Sequence, residues 1–284
     1  MTNIIPPDPR GLYYDVPNEV YQAGPGLSVS GLKRLRKSPF HFHAPQVPGN
    51  LAPLASPTPA MFNGTLTHCA LLEPDRFDSR YLVGPEVSKN SNAWKDFAKH
   101  AADKGLEIIS AQQRDAAFAQ AASVRALPDV AELLTGGTSE VSCYWVDEET
   151  GVLCRCRPDR DFPIAYGTSA VLLDLKTCVD ASPDGFGRQV ANLHYDMQAA
   201  WYCDGYAIAA DTEVSAMVFA AVENSFPFAA AAYMLDPEDI AAARRANRKL
   251  LRLYRQCEEI NEWPGYPREM RRLSLPAWNR VEDF

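Results

Sequence analysis

Two short stretches place charged side chains at the ends of apolar segments. Residues 154–159 read CRCRPD, and residues 172–177 read LLDLKT. Side chains alternate between the two faces of a strand, so Asp174 and Lys176 share one face while the leucines between them enter the opposite core. Charged groups are rarely buried unless they are paired or bound to a metal. The second stretch therefore predicts a partner for Asp174 and Lys176.

The two aspartates point to a divalent cation. If the two strands are neighbours in a sheet, Asp159 lies beside Asp174, and two carboxylates in a low-dielectric site repel each other unless a cation lies between them. Oxygen ligands with open positions suit Mg²⁺ or Mn²⁺, which keep waters and bind substrate phosphates. Lys176 would then orient or deprotonate a water, or balance charge on the phosphate. This arrangement predicts metal-assisted hydrolysis of a phosphodiester.

A salt-bridged strand end is the alternative, because a D-x-K triplet occurs by chance in many chains. The combination favours the metal site, since a literal Pro-Asp ends one strand and D-x-K ends another strand that is otherwise apolar.

The composition is that of an ordinary globular protein. The 284 residues are 46% hydrophobic and 23% charged, with a formal net charge of −8, which argues against a protein that coats nucleic acid through overall basicity. A local basic groove is compatible with this net charge. If DNA is held only in such a groove, its binding should weaken steeply as the salt concentration rises. The seven cysteines form no C-x-x-C pair, and the start lacks a basic region followed by an apolar core. We therefore expect a cytoplasmic protein with reduced thiols and no membrane span.

The middle and the end of the chain alternate strand and helix patterns. A hairpin is predicted where the acidic turn DEET lies between SEVSCYWV and GVLCRCRPD. A central strand covered by helices on both sides is predicted in SAVLLDLKT. A long helix is expected at roughly 183–209, a strand pair at 214–222 and 228–235, and a final helix that begins at Asp236.

The N-terminal part reads as mostly helical. Asn18 is a candidate cap of a short helix, and Ser28 or Ser30 begins a basic helix that ends before Pro39. The proline-rich residues 45–60 predict a loop or flap. Three further helices are expected, in MFNGTLTHCALLEP and at 91–103 and 111–126. The prediction is one α/β domain over residues 1–284 with a helical N-terminal elaboration.

Six motifs, in this order, resemble the RecE-type exonucleases of the PD-(D/E)xK nuclease superfamily, the nuclease portion of exodeoxyribonuclease VIII. They are YYDVPNEVYQAGPGLSVSGL, NGTLTHCALLEPDRF, GVLCRCRPD, LLDLKT, MQAAWYCDGY and LSLPAW. The resemblance implies a restriction-endonuclease-like core, with a central mixed sheet flanked by helices.

The resemblance also implies roles for individual residues. The expected metal ligands are the side chains of His68, Asp159 and Asp174 and the main-chain carbonyl of Leu175. The expected catalytic residues are Lys176, Asp174, Asp159, Gln198 and Tyr202. The last two match a Q-x-x-x-Y motif, whose spacing places both on one helix face. As alternatives, His68 is an ordinary helix histidine, and Gln198 and Tyr202 line a polar pocket.

The family's activity is Mg²⁺-dependent digestion of linear double-stranded DNA from 5′ ends, with Mn²⁺ as a substitute. It leaves 3′ single strands for recombination by strand annealing. The resemblance further implies a ring-shaped homo-oligomer of three or four subunits, a prophage setting and a RecT-like single-strand annealing protein as partner. Two alternatives remain: a structure-specific or single-strand endonuclease on the same core, and a catalytically idle DNA-binding scaffold. Some relatives in the superfamily hold an iron–sulfur cluster with one N-terminal cysteine and three C-terminal cysteines. No such cluster is expected here, because only Cys257 lies near the C-terminus.

Several basic or polar residues are candidates for DNA contact. Arg155 and Arg157 share the Asp159 side of their strand, although pairing with acids is the alternative. The helix start at Ser28 to Ser30 could hold a phosphate. Two basic rows are mainly expected to be solvated or subunit-facing surfaces, with a DNA track as the alternative. They are Lys33, Arg34, Arg36 and Lys37 in the first row and Arg244, Arg245, Arg248, Lys249, Arg252 and Arg255 in the second.

Overall fold

The structure is a computed structural model that describes residues 9–47, 58–164 and 168–275. The centre of the proline-rich segment, residues 48–57, lies outside the described residues. Among the described residues, no helix combines the length and apolarity that a bilayer crossing requires.

Nine strands are described: β1 (Gly11–Tyr13), β2 (Tyr81–Val83), β3 (Glu107–Ile109), β4 (Ser142–Val146), β5 (Leu153–Cys156), β6 (Arg160–Ile164), β7 (Ser169–Cys178), β8 (Glu213–Glu223) and β9 (Ala230–Tyr233). The α-helices of the same described ranges are α1 (Asn18–Ala23), α2 (Val29–Lys37), α3 (Pro39–His43), α4 (Pro59–Leu72), α5 (Phe77–Arg80), α6 (Asn92–Asp103), α7 (Ala111–Arg125), α8 (Pro128–Leu133), α9 (Pro183–Leu193), α10 (Tyr195–Ala210) and α11 (Pro237–Ile260). Short 3₁₀ turns lie at Ala44–Gln46 and Pro74–Arg76.

The largest sheet has four strands in the order β6-β7-β8-β9. Strand β7 pairs antiparallel with β6 and parallel with β8, and β8 pairs antiparallel with β9, so the sheet is mixed. A second sheet has the order β1-β4-β5, and β2 and β3 form a parallel pair. The predicted central strand, the hairpin around DEET and the pair β8–β9 are confirmed.

Strand β7 is covered on both faces, as its continuous apolar run predicts. On one face Leu172 and Cys178 belong to a core that also contains residues of α2 and α10. On the other face Leu173 and Leu175 pack in a core with residues of α4 and α7. The even-numbered residues of β7 therefore point toward α10, and the odd-numbered ones toward α4.

The condition that the two acidic strands are neighbours in one sheet is not met. Strand β5 lies in the three-stranded sheet, and the partner of β7 is β6, with Arg160 opposite Leu173. The chain passes from one sheet to the other through residues 157–159. Asp159 therefore comes to β7 from the start of β6 and not from the end of β5.

Two predicted helix details also differ. The helix expected at 183–209 is two helices, because His194 adopts a left-handed backbone (φ 53°, ψ 51°) that ends α9 and begins α10. Asn18 is the first residue of α1, and no side chain caps that helix. Ser28 does cap α2, since its hydroxyl accepts a hydrogen bond from the N–H of Gly31 at 3.3 Å. The last helix begins after Asp236, as predicted.

Candidate active site

Asp174 lies in the middle of β7 with only 2% of its surface exposed. Its Oδ1 accepts a hydrogen bond from Nε2 of Gln198 at 2.7 Å. Its Oδ2 contacts the ammonium of Lys176. The carboxylate is therefore held on both oxygens, by a helix on one side and by its own strand on the other.

Lys176 is mostly buried, with 16% of its side chain exposed. Its ammonium lies 4.5 Å from the centre of the Tyr195 ring. Burial acts to lower the pKa of Lys176, but the nearby Asp174 and Asp159 outweigh burial and raise it. Lys176 is therefore a fixed cation next to two carboxylates, as the D-x-K parity predicts.

Asp159 is the point where three parts of the site meet. Its Oδ2 accepts a hydrogen bond from the N–H of Leu175 at 2.6 Å and lies 2.8 Å from Nε2 of His68. Burial and then Asp174 raise the pKa of Asp159 to about 6, although His68 lowers it. Burial is the larger cause of this pKa shift, and repulsion by Asp174 adds to it.

His68 and Glu140 complete the cluster. His68 lies in α4, with Nδ1 at 3.6 Å from Oε1 of Glu140. Burial acts to lower the pKa of His68, but Asp159 and Glu140 outweigh it, so the pKa is raised well above its usual value. Glu140 has a left-handed backbone (φ 58°), and its N–H donates to the carbonyl of Asp159 at 3.0 Å.

These residues fit a hard divalent cation. One ligand atom from each of His68, Glu140 and Asp159 lies within 4.8 Å of the other two. A nitrogen and two carboxylates are a donor set that such ions accept. The cluster contains Glu140, which the sequence motifs did not predict, and it leaves out Asp174, whose oxygens contact Gln198 and Lys176. The ligand role of Asp174 and of the Leu175 carbonyl stays a prediction.

A cavity of about 890 Å³ opens over this cluster. Its lining includes His68, Glu140, Asp159 and Lys176, together with residues of the N-terminal segment before α2. Both the cation cluster and the catalytic lysine candidate can therefore be reached from one side.

Gln198 and Tyr202 occupy adjacent turns of α10, as their spacing predicts. Gln198 is buried and fixes Asp174. Tyr202 lines the cavity, and burial raises the pKa of its phenol well above the usual value, so it stays protonated. The structure assigns Gln198 a positioning contact, while a chemical role of Tyr202 stays a prediction.

The structure gives Arg155 and Arg157 protein partners. Arg155 donates to the carbonyls of Tyr21, Gln22 and Gly24, with distances of 3.1 Å to Gln22 and 2.5 Å to Gly24. Arg157 donates to the carbonyl of Val16 at 3.1 Å and to the hydroxyl of Ser142, and its guanidinium lies 4.0 Å from the Tyr21 ring centre. Both side chains are nearly buried. They fasten the N-terminal segment. Arg157 also lines the cavity over the cluster, and the DNA contacts of both residues stay predictions.

The two basic rows differ in their partners. On α11, four arginines form ion pairs: Arg244 with Asp204, Arg248 with Asp147 and Glu149, Arg252 with Glu149, and Arg255 with Glu258 and Glu259. On α2, none of Lys33, Arg34, Arg36 and Lys37 forms an ion pair with a carboxylate of the described residues. Ser30 is exposed, while Ser28 already uses its hydroxyl to cap α2. Phosphate binding at this helix start stays a prediction.

Comparisons with known proteins identify one family. The family described as "PDDEXK-like domain of unknown function (DUF3799)" matches residues 28–272. None of the curated proteins matches the chain. A solved structure described as "Putative exonuclease" from Eubacterium rectale is 14% identical, covers 90% of this chain and 97% of its own, and superposes with a TM-score of 0.56. A second solved structure, SSO0001, is 16% identical over 50% of this chain and 67% of its own, with a TM-score of 0.29.

Proposed function

Because the chain belongs to the PDDEXK-like family DUF3799, we propose that it is a metal-dependent nuclease that digests linear double-stranded DNA from its 5′ ends. The family match and the fold confirm the predicted membership in the PD-(D/E)xK superfamily, and they support a nuclease. The observation that carries the proposal is the placement of Lys176, which lies on Asp174 and opens into the same cavity as His68, Glu140 and Asp159.

His68, Glu140 and Asp159 would hold the metal ion, with Asp174 beside them. A bound divalent cation, which we propose to be Mg²⁺ with Mn²⁺ as a substitute, supplies positive charge to a phosphate oxygen and makes a bound water more acidic. The raised pKa of Asp159, due to burial and to Asp174, supports this fit, because a cation between the two carboxylates relieves their repulsion.

Lys176 places a permanent positive charge at the edge of the cluster. There it balances negative charge that develops on the phosphate, or orients the attacking water through its N–H donors. Gln198 keeps Asp174, and through it Lys176, in place from the neighbouring helix. The hydrogen bond from Leu175 N–H keeps Asp159 next to the same strand.

The finer parts of the proposal rest on the RecE-type motifs. These parts are the 5′ to 3′ direction, the 3′ overhangs for recombination, the cytoplasmic setting, the ring-shaped trimer or tetramer and the RecT-like annealing partner. The description of the Eubacterium rectale protein agrees with an exonuclease, although at 14% identity the likeness shows the fold alone.

The test uses one linear duplex labelled at either end and a closed circular plasmid. We expect wild type to remove the 5′ strand of the linear duplex in Mg²⁺, and to leave the plasmid and all EDTA samples intact. Lys176→Met, which keeps the length of the side chain without its charge, should slow cleavage at least about a hundredfold. Linear DNA that stays intact in both Mg²⁺ and Mn²⁺ would refute the nuclease, and cutting of closed circles would establish the endonuclease alternative.

Glu140 provides a second test that does not depend on activity. Glu140→Gln keeps the shape of the side chain but removes a charged ligand, so Mn²⁺ affinity measured by calorimetry should fall on the order of tenfold or more. Glu149→Gln is the matched control, since Glu149 pairs with Arg252 on another surface. Equal Mn²⁺ affinity in wild type and in both variants would remove Glu140 from the cluster.

A further inference from the structure

Lys33 is a second lysine next to the catalytic one. It lies on α2, half buried, with its ammonium 5.3 Å from the centre of the Tyr195 ring. The ammonium of Lys176 lies 4.5 Å from the centre of the same ring. One tyrosine therefore contacts two lysines that come from different elements of the fold.

The two lysines differ in whether a carboxylate at ion-pair distance balances their positive charge. Lys176 contacts Asp174 directly. Lys33 forms no ion pair with any carboxylate of the part of the chain that the structure describes. Burial and then Lys176 lower the pKa of Lys33 to about 8, although Asp174 and Asp196 act to raise it. Burial therefore disfavours the charged ammonium of Lys33, and an anion placed beside it would favour the charged form.

The same surface continues outward along α2. The guanidinium of Arg36 donates to the ring of His194, at 3.2 Å to Nδ1, and His194 precedes Tyr195 in the chain. Burial and then Arg36 lower the pKa of His194, so its ring is a neutral acceptor and does not compensate the guanidinium. Positive charge without a carboxylate at ion-pair distance thus continues from Lys33 to Arg36.

We infer that Lys33 and Tyr195 form a second phosphate subsite, which binds the DNA phosphate next to the one that is cut at Lys176. A DNA strand carries one phosphate per about 3.4 Å of helix axis. Both ammonium groups lie within 5.3 Å of the same ring centre, so one strand that passes this ring can place neighbouring phosphates near both lysines. Tyr195 keeps the two cations apart and orients both. This inference rests on the proposed function, because it names the substrate contact beside that site.

A purely structural role is the competing explanation. The aliphatic part of Lys33 covers the Tyr195 ring, and packing alone would need no charge. The two roles are separable, because methionine retains the length and apolar contact of the lysine side chain, whereas arginine retains the charge.

The experiment measures binding of a fluorescent linear duplex of about 20 base pairs by anisotropy in EDTA, over about 50 to 400 mM KCl. The proteins are wild type, Lys33→Met, Lys33→Arg and the control Lys249→Met, which changes an exposed lysine on α11. For Lys33→Met we expect the slope of log affinity against log salt to fall by about one, and low-salt affinity to fall about tenfold. Lys33→Arg should retain most of the slope.

Steady-state cleavage in Mg²⁺ gives the second readout. Lys33→Met should raise KM by about tenfold and leave kcat within about threefold, because a neighbouring phosphate contact binds ground state and transition state alike. If wild type binds and cuts DNA but Lys33→Met has the same salt slope and KM as Lys249→Met, the subsite proposal is wrong. The proposed nuclease activity would be unaffected by that result. A loss in kcat alone would also overturn it. If wild type neither binds nor cuts DNA, the proposed function fails and the subsite with it.

Discussion

Helices α2 and α11 carry similar rows of basic residues, but the two rows differ in their ion-pair partners. The four arginines Arg244, Arg248, Arg252 and Arg255 of α11 are paired with acids from α10, from the turn after β4 and from α11 itself. The four cations of α2 meet no carboxylate of the described residues at ion-pair distance. In a chain of net charge −8, acids are abundant. A row of cations near Lys176 that has no ion pair among the described residues is therefore the more informative of the two.

The pattern of charges along a helix therefore does not by itself define a DNA-binding surface. Exposed pairs are worth little stability, but pairing reduces the positive potential that a phosphate would meet. The surface on α2 keeps that potential and meets the cavity at Tyr195, whose ring Lys33 contacts. The surface on α11 has mostly lost it to Asp147, Glu149 and Asp204.

The largest expected effect comes from charge reversal on α2. In Arg34→Glu/Arg36→Glu, two attractive charges become repulsive, and we expect duplex affinity at low salt to fall on the order of a hundredfold or more. The measurement is the anisotropy titration described above. The matched variant Arg245→Glu/Lys249→Glu reverses two cations of α11 for which the structure shows no ion pair, and should change affinity by less than about threefold. Equal losses in the two variants would remove the contrast between the helices.

A smaller effect, on the free energy of unfolding, is expected from loss of the Arg248–Asp147 ion pair, the most buried pair of α11. Asp147 is nearly buried and contacts Arg248, while Thr150 donates to it from its N–H at 3.0 Å and from its hydroxyl at 2.7 Å. Arg248→Gln leaves this carboxylate without its cation, so the free energy of unfolding should fall by about 1–2 kcal/mol. Urea unfolding measures it, with Arg245→Gln as the control that should stay within about 0.5 kcal/mol. DNA affinity should not change, and a loss of DNA affinity would assign α11 to the substrate track.

The smallest effect is a pH dependence of binding. Phosphate binds the charged form of Lys33, whose pKa in the free protein is lowered to about 8 by burial and Lys176. As pH rises from 7 to 9 the free protein loses this proton, so duplex affinity should fall by a few-fold more in wild type than in Lys33→Arg, which stays charged. Parallel pH curves for wild type, Lys33→Arg and Lys33→Met would show that Lys33 does not face the phosphate.

The parts of the site that follow from local rules were predictable. Alternation along a strand places Asp174 and Lys176 together on one face, and helical spacing places Gln198 and Tyr202 on another element. Those rules depend only on neighbours in the chain. The bulk of the helices, the hairpin and the central strand follow from periodicity and caps in the same way.

The parts that depend on distant contacts were not predictable. Arg155 and Arg157 do share a face, but residues 16–24, more than 130 positions earlier, cover it. Glu140 belongs to no motif, and its only local sign is an acid directly before an apolar strand. The break at His194 occurs without glycine, the residue that normally adopts a left-handed backbone at a helix end, and without a proline after it.

The active site is assembled from four separate pieces of chain, and this has a consequence for its synthesis. His68 and Gln198 are 130 positions apart, a gap that a ribosome adding about 5–20 residues per second covers in roughly 6 to 26 s. Until Gln198 has left the ribosome, Asp174 lacks its helix partner. A nascent or truncated chain that stops between these residues therefore has no complete centre, and under the proposed function it could not cut the cell's own DNA.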